Sequence, residues 1–262
     1  MFSQPFCLSA KDILVCSGDM FVRLLDTTMS VPCVRALTLP VEMPCIYVGA
    51  ATSETGSQTV VAETFQSRLI LLGATGEVIR QIELPPSMSP KSIARTHDRF
   101  WLTIQQGELD TKLGWFDESM GGIQFPEVES GWEPPMLNMV GFPLVLVHHG
   151  NLALYNPLAG KLYWLSEECM VTCVKEIPPN AVLGPSASGD LILLSSTDTG
   201  IHLYTIDRLR ASVPLASMRE KPWETAVGIC MTADQVLVLD DRGCIRCWRK
   251  QDGRWSVVSD CQ

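Results

Sequence analysis

Six prolines, Pro5, Pro44, Pro90, Pro135, Pro179 and Pro222, each stand just ahead of a short apolar segment, and after Pro44 they recur at intervals of about 46, 45, 44 and 43 residues. This period constrains the fold more than any other feature of the chain. It is the length that four short strands and their turns occupy, so the sequence reads as a stack of four-stranded sheet modules.

Within each unit, short runs of β-type residues are separated by turn residues, and no helical periodicity is sustained over ten positions. Six hairpins follow, each expected to join the second and third strands of its unit. They are Ile13 to Cys16 with Phe21 to Leu25, Thr59 to Phe65 with Leu69 to Leu72, and Phe100 to Gln105 with Leu113 to Phe116. The rest are Leu144 to His148 with Leu152 to Tyr155, Leu191 to Ser195 with Ile201 to Ile206, and Val236 to Leu239 with Cys244 to Trp248. A column of large residues closes the third strands: Leu25, Leu72, Phe116, Tyr155, Tyr204 and Trp248.

Around that column, Val22-Arg23-Leu24-Leu25-Asp26 and Gly243-Cys244-Ile245-Arg246-Cys247-Trp248-Arg249 resemble the Gly-x-Val-Arg-Leu-Trp-Asp strand of the WD-repeat family. Gly150-Asn151-Leu152-Ala153-Leu154-Tyr155-Asn156 is a fainter copy. Only the last unit carries the tryptophan, no unit has a Gly-His dipeptide, and four histidines cannot supply that family's recurrent Asp-His-Ser/Thr-Trp network. The resemblance implies blade shape and no subfamily. The expected fold is all-β: one β-propeller over residues 1–262, with six four-stranded blades at 1–40, 41–86, 87–130, 131–175, 176–218 and 219–262, and seven blades as the alternative. Phe6 to Ser9 opens the first unit and Trp255 to Val258 closes the last. Ring closure should pack these two units together, because an open sheet edge invites aggregation.

Composition narrows the function classes. A net charge of −9 and a pI near 4.9 lack the clustered cations that supply most nucleic-acid affinity. No stretch approaches the roughly 18 apolar residues of a membrane span. Met1 to Ala10 lacks the basic start of a secretory signal, so a cytoplasmic or nuclear location is expected, and the ten cysteines are read as reduced core residues.

Antiparallel strands put the second-to-third turns of every blade on the same end of the disc as the connections between blades. That end should collect an acidic stretch: Trp101 to Pro135 holds seven acids (Glu108, Asp110, Asp117, Glu118, Glu127, Glu129, Glu133) and one base, Lys112, and all the acids but Asp117 and Glu118 fall in loops of that end. Trp132 and Trp223 sit in proline-flanked connections expected on the same end. Exposed indoles beside acids suit a basic, partly apolar protein segment, so the partner-binding candidates are Glu108, Asp110, Glu127, Glu129, Trp132, Glu133 and Trp223. Packing between blades is the competing role for the two tryptophans.

Catalytic motifs are missing from the sequence. Cys244-x-x-Cys247 falls on a strand, where residues three apart face opposite ways, so its sulfurs cannot meet on one ion. Cys169 and Cys173 with His148 and His149 lack paired metal-ligand spacing, and a metal site there is weighed as a minor alternative. Gly184-Pro185-Ser186-Ala187-Ser188 fails the last position of a nucleophile elbow. Ser196-Thr197-Asp198-Thr199-Gly200 is a plain hairpin turn. No catalytic residue, metal or cofactor is assigned. An enzymatic propeller would have to assemble single residues around its channel, and Asp19, Glu108, His148, His149, Asp198 and Asp241 are the set expected on the shared end.

The resulting expectation is a non-catalytic scaffold or subunit of a hetero-complex, binding a protein partner, basic in character, through one acidic loop face. The alternatives are a propeller hydrolase or lyase with a channel metal, and an inhibitor or immunity-type protein that occludes a partner's active site.

Overall fold

The computed structural model describes residues 6–8, 13–16, 22–26, 33–37, 39, 45–53, 57–97, 99–107, 110–117, 119, 121–126, 144–178, 181–197, 200–208, 213–218 and 226–261. They form six antiparallel sheets in sequence order and, among the described residues, no helix. The first sheet contains β1 (Phe6–Leu8), β2 (Ile13–Cys16), β3 (Val22–Asp26) and β4 (Cys33–Leu37). The second contains β5 (Tyr47–Thr52), β6 (Gln58–Glu63), β7 (Arg68–Gly73) and β8 (Val78–Glu83). The third contains β9 (Met88–Arg95), β10 (Arg99–Gln106) and β11 (Asp110–Asp117). The fourth is β12 (Leu144–His148), β13 (Asn151–Asn156), β14 (Lys161–Leu165) and β15 (Val171–Glu176). The fifth is β16 (Val182–Pro185), β17 (Leu191–Thr197), β18 (Gly200–Ile206) and β19 (Val213–Met218). The sixth is β20 (Ala226–Met231), β21 (Gln235–Asp240), β22 (Ile245–Gln251) and β23 (Arg254–Cys261).

The molecule is a β-propeller. The first strands of the sheets touch in succession, from β1 to β5, β9, β12, β16 and β20 and back to β1, so they form the inner ring. Closure is apolar: Ile13, Val15 and Leu25 of the first sheet share one buried cluster with Cys230, Leu237, Leu239, Ile245 and Cys247 of the sixth. Burying such side chains away from water is the main favourable term in holding the ring. Strand composition follows position. Inner and middle strands such as β7 (RLILLG) and β21 (QVLVLD) are buried throughout, whereas the outer strands β8 and β15 are largely exposed or half-buried.

Among the described residues, the expectation of six four-stranded blades is met in five sheets, while the third has three strands. Beside its last strand the described residues add a bridge, with backbone bonds in both directions between Trp115 and Gln124 at 2.9 and 2.8 Å.

The fourth unit is displaced by one strand. Leu144–His148 and Asn151–Asn156 are its first and second strands, not its second and third. Two repeated devices confirm the register. The pairing of third with outer strand carries a bulge at Leu71/Leu72, Trp164/Leu165, Leu203/Tyr204 and Cys247/Trp248. The large-residue column therefore runs through Leu165 in the fourth unit, not Tyr155. The second strands also end on a polar residue that accepts backbone N–H bonds from the following turn: Glu63, Asn156 and Asp240. The fainter WD-like copy ending at Asn156 is thus a second strand. A tight turn between apolar runs looks alike at either step of a blade, which explains the slip.

Close packing of the inner ring is visible at Gly184 on β16. A Cβ there would lie 1.7 Å from the carbonyl oxygen of Ile229 on β20. The failed nucleophile elbow is thus an inner strand whose glycine permits contact with the next sheet. Among the described residues, Cys16, Cys45, Cys169, Cys230 and Cys247 are buried, as the core reading expects, and Cys173 and Cys244 are half-buried. No helix among the described residues is long and apolar enough to cross a membrane.

Candidate functional site

The one-strand shift decides which turns share an end. First-to-second turns and third-to-outer turns lie together, opposite the second-to-third turns and the connections between sheets. His148 and His149 end β12 and open the turn to β13, so they lie on the opposite end from the one expected. Asp241, between β21 and β22, is on the expected end. The six-residue channel set is therefore split between the two ends. Its members Asp19, Glu108 and Asp198 lie outside the described residues, as do the partner-binding candidates Glu127, Glu129, Trp132, Glu133 and Trp223. Asp110 is described: it begins β11, is exposed, and stands 4.0 Å from the Lys112 ammonium.

Histidine neighbours on the first-to-second end behave differently. His148 is buried, and its Nδ1 accepts the indole N–H of Trp164 at 3.2 Å. A second hydrogen bond ties the ring to the Ile206 backbone. An Nδ1 that accepts carries no proton, so His148 is the neutral Nε2–H tautomer. Burial, and then the neighbouring His149, hold its pKa below the ordinary imidazole value, against the pull of Asp190 and Asp207.

His149 adopts a left-handed backbone (φ 48°), and its ring is about half exposed. Its Nε2 lies 2.9 Å from Asp190 Oδ1, and its backbone N–H donates to Gly189 O at 2.9 Å. These contacts join the fourth and fifth sheets. Ser188 donates to the other carboxylate oxygen of Asp190 at 2.6 Å. Gly189 (φ +87°) is required here, because a Cβ would meet His149 Nδ1 at 3.2 Å in a backbone conformation that other residues rarely adopt.

The ligand-capable atoms of His148, His149 and Asp190 lie within 4.8 Å of one another, a metal-like grouping that the sequence did not assign. Its donors fit an ion poorly. Binding at His148 would break the bond from Trp164 or the bond to Ile206, leaving exposed His149 and half-buried Asp190 as two ligands where a zinc site uses three or four. Neither cysteine joins them. Cys169 is buried in the turn after β14, where burial raises its thiol to about 11, and Cys173 Sγ contacts Arg208 O at 3.4 Å.

Beside the His149 and Asp190 pair, a cleft of about 400 Å³ opens between the third and fourth sheets. Its walls include His97, Arg99 and Trp101 from the third sheet, with His149, Gly150 and Glu167 from the fourth. Lys91 on β9 is another residue that no motif flagged: burial depresses its ammonium, which donates to Thr64 Oγ1 at 3.2 Å between the second and third sheets. An unbroken strand pattern gave no signal for it.

No protein-family model matches the chain, and no curated protein sequence does. Solved structures do match. Virginiamycin B lyase from Staphylococcus aureus aligns with a TM-score of 0.58 at 17% identity, over 92% of this chain and 78% of that one. The β-propeller domain of Cps50 (Swd1) from Myceliophteria thermophila aligns with a TM-score of 0.60 at 14% identity, over 99% and 86%. Hydrazine synthase of Kuenenia stuttgartiensis aligns with a TM-score of 0.62 at 11% identity, over 95% and 77%. At these identities the likeness is one of fold.

Proposed function

We propose that this propeller is a non-catalytic interaction module, a hetero-complex subunit of the cytoplasm or nucleus that holds a protein partner on the end built from second-to-third turns and inter-sheet connections. The observation that carries this reading is the split of the channel set: Asp241 stands on one end while His148 and His149 stand on the other, with His148 committed to Trp164. A rigid ring displaying turns at fixed geometry suits docking, since no rearrangement has to accompany it. The likeness to a Swd1 propeller domain is in keeping with it.

On this reading Glu108, Asp110, Glu127, Glu129 and Glu133 supply acidic contacts for a basic segment, and Trp132 and Trp223 supply apolar anchors. An inhibitor that occludes a partner's active site would use the same surface. The test is capture of partners from native extract by the tagged chain, comparing wild type with the triple variant Glu127→Lys, Glu129→Lys, Glu133→Lys. A stoichiometric companion that is lost at high salt and in the variant is expected. Equal capture by both proteins excludes this surface.

A second reading, a hydrolase or lyase with a metal, draws on the His148, His149 and Asp190 grouping and on the likeness to virginiamycin B lyase. Elemental analysis of the purified chain, with melting temperature measured with and without chelator, separates the two readings.

A further inference from the structure

We propose that the cleft between the third and fourth sheets is a binding site for a small molecule carrying a carboxylate or phosphate group. It lies on the end opposite the proposed partner surface, so it stands independently of that reading.

Among the described residues lining the cleft, Arg99 and Glu167 are the charged side chains, and His97 and His149 add two imidazoles. The wall that carries Arg99 is also held in place. Arg99 lies over the Trp115 ring, 4.2 Å from the centroid, and Thr96 N–H donates to Arg99 O at 3.0 Å across the turn. Arg95 donates to His97 O at 2.6 Å, and Trp101 Nε1 donates to Thr96 Oγ1 at 3.0 Å. These contacts hold the residues on either side, Thr96, His97 and Arg99, and a donor already in position loses less entropy on binding.

On the facing wall, Gly150 (φ +77°) leaves the space that His97 occupies, since a Cβ would lie 2.9 Å from His97 Nε2. From the same turn His149 also lines the cleft, with its Nε2 engaged by Asp190. The Arg99 guanidinium and the His97 imidazole are natural partners for carboxylate and phosphate oxygens. Trp101, Leu152 and Leu165 give the cleft apolar surface for the remainder of the ligand, and its volume falls within the range of small-molecule sites, roughly 300–1,000 Å³.

The test is titration of the full chain with inorganic phosphate and, separately, with succinate, at constant ionic strength, followed by calorimetry and by the imidazole resonances of the four histidines. Saturable binding of at least one probe is expected, with shifts at His97 and His149 larger than at His202. Arg99→Gln should weaken it about tenfold, as loss of a charge-assisted contact does. His97→Ala, at an exposed position, should weaken it several-fold and decides the matter if Arg99→Gln fails to fold. Preference for one probe identifies the anion class. No saturable binding of either probe, or affinity unchanged in both variants, overturns the proposal.

Discussion

Trp164 donates its indole N–H to Nδ1 of His148 across 3.2 Å, with both side chains buried. The bond sets the tautomer of a histidine whose neighbour in sequence, His149, is exposed and paired to a different sheet. Adjacent imidazoles are therefore divided between a packing role and a surface role.

Acidification should cost stability through His148. Its folded-state pKa is lowered, so below the unfolded value of about 6.5 the unfolded chain binds more protons than the native one, and stability rises with pH there. The contribution is whole above that value and declines as pH falls through the window down to the depressed native pKa, at no more than about 1.4 kcal/mol per pH unit. Urea denaturation between neutral pH and mild acid should show a shallower slope for His148→Gln, which keeps an acceptor for Trp164. Equal slopes would remove His148 as the origin.

Removing the acceptor should be more costly than replacing it. His148→Leu leaves the Trp164 N–H buried without a partner and should destabilise by about 1–3 kcal/mol, with the glutamine variant losing less. Denaturation midpoints of the two variants at neutral pH provide the comparison.

Glu63 is fully buried, accepts backbone N–H bonds from Ile46, Phe65 and Gln66 at 2.7 to 2.9 Å, and lies 3.5 Å from Arg68 Nε. Glu63→Ala strands these donors and the guanidinium, and should cost about 3–5 kcal/mol. Equilibrium unfolding should place Glu63→Gln between the alanine variant and wild type.

At Gly184 the Ile229 carbonyl leaves no room for a side chain. Gly184→Val must separate β16 from β20 and should destabilise by about 3 kcal/mol or more, with proteolysis increased at both strands. A variant that melts with wild type would show that the inner ring can yield.

Ser92 ties the third sheet to the fourth: its hydroxyl pairs with Thr103 Oγ1 at 2.7 Å and accepts the Val145 N–H at 2.9 Å, all buried. Ser92→Ala should cost about 1–3 kcal/mol by orphaning that N–H. Faster amide exchange at Val145 is the specific sign, and unchanged exchange there would count against this link.

Much of the fold was legible because strands and turns are local. All six hairpins fall where the apolar runs and turn residues put them, five of them as second and third strands, and the period gave one sheet per unit. The fourth unit slipped because Leu144 to Tyr155 reads equally well as either hairpin of a blade. The signal that could have fixed it is the exposed outer strand: Val171–Glu176 alternates half-buried and exposed residues, as outer strands do, which counts back to Leu144 as the first strand. The third sheet, three-stranded among the described residues, had no such marker, since its Trp115 and Gln124 bridge is a single residue pair.

The candidate sites were less legible. His149 and Asp190 are 41 residues apart on different sheets, and no motif connects them. The sequence places His148 and His149 side by side but not on their end of the ring, because the end a turn occupies depends on whether an odd or even number of strands precedes it in the blade.

By itself the sequence determined the period, the all-β class and the apolar middle strands, because turn chemistry and side-chain alternation act over a few residues. Only the tertiary structure decided the place of Leu144–His148 within its blade, the end on which the histidines emerge and their partners. Those depend on strand direction and on contacts between neighbouring sheets, which join residues that share no local stretch of chain.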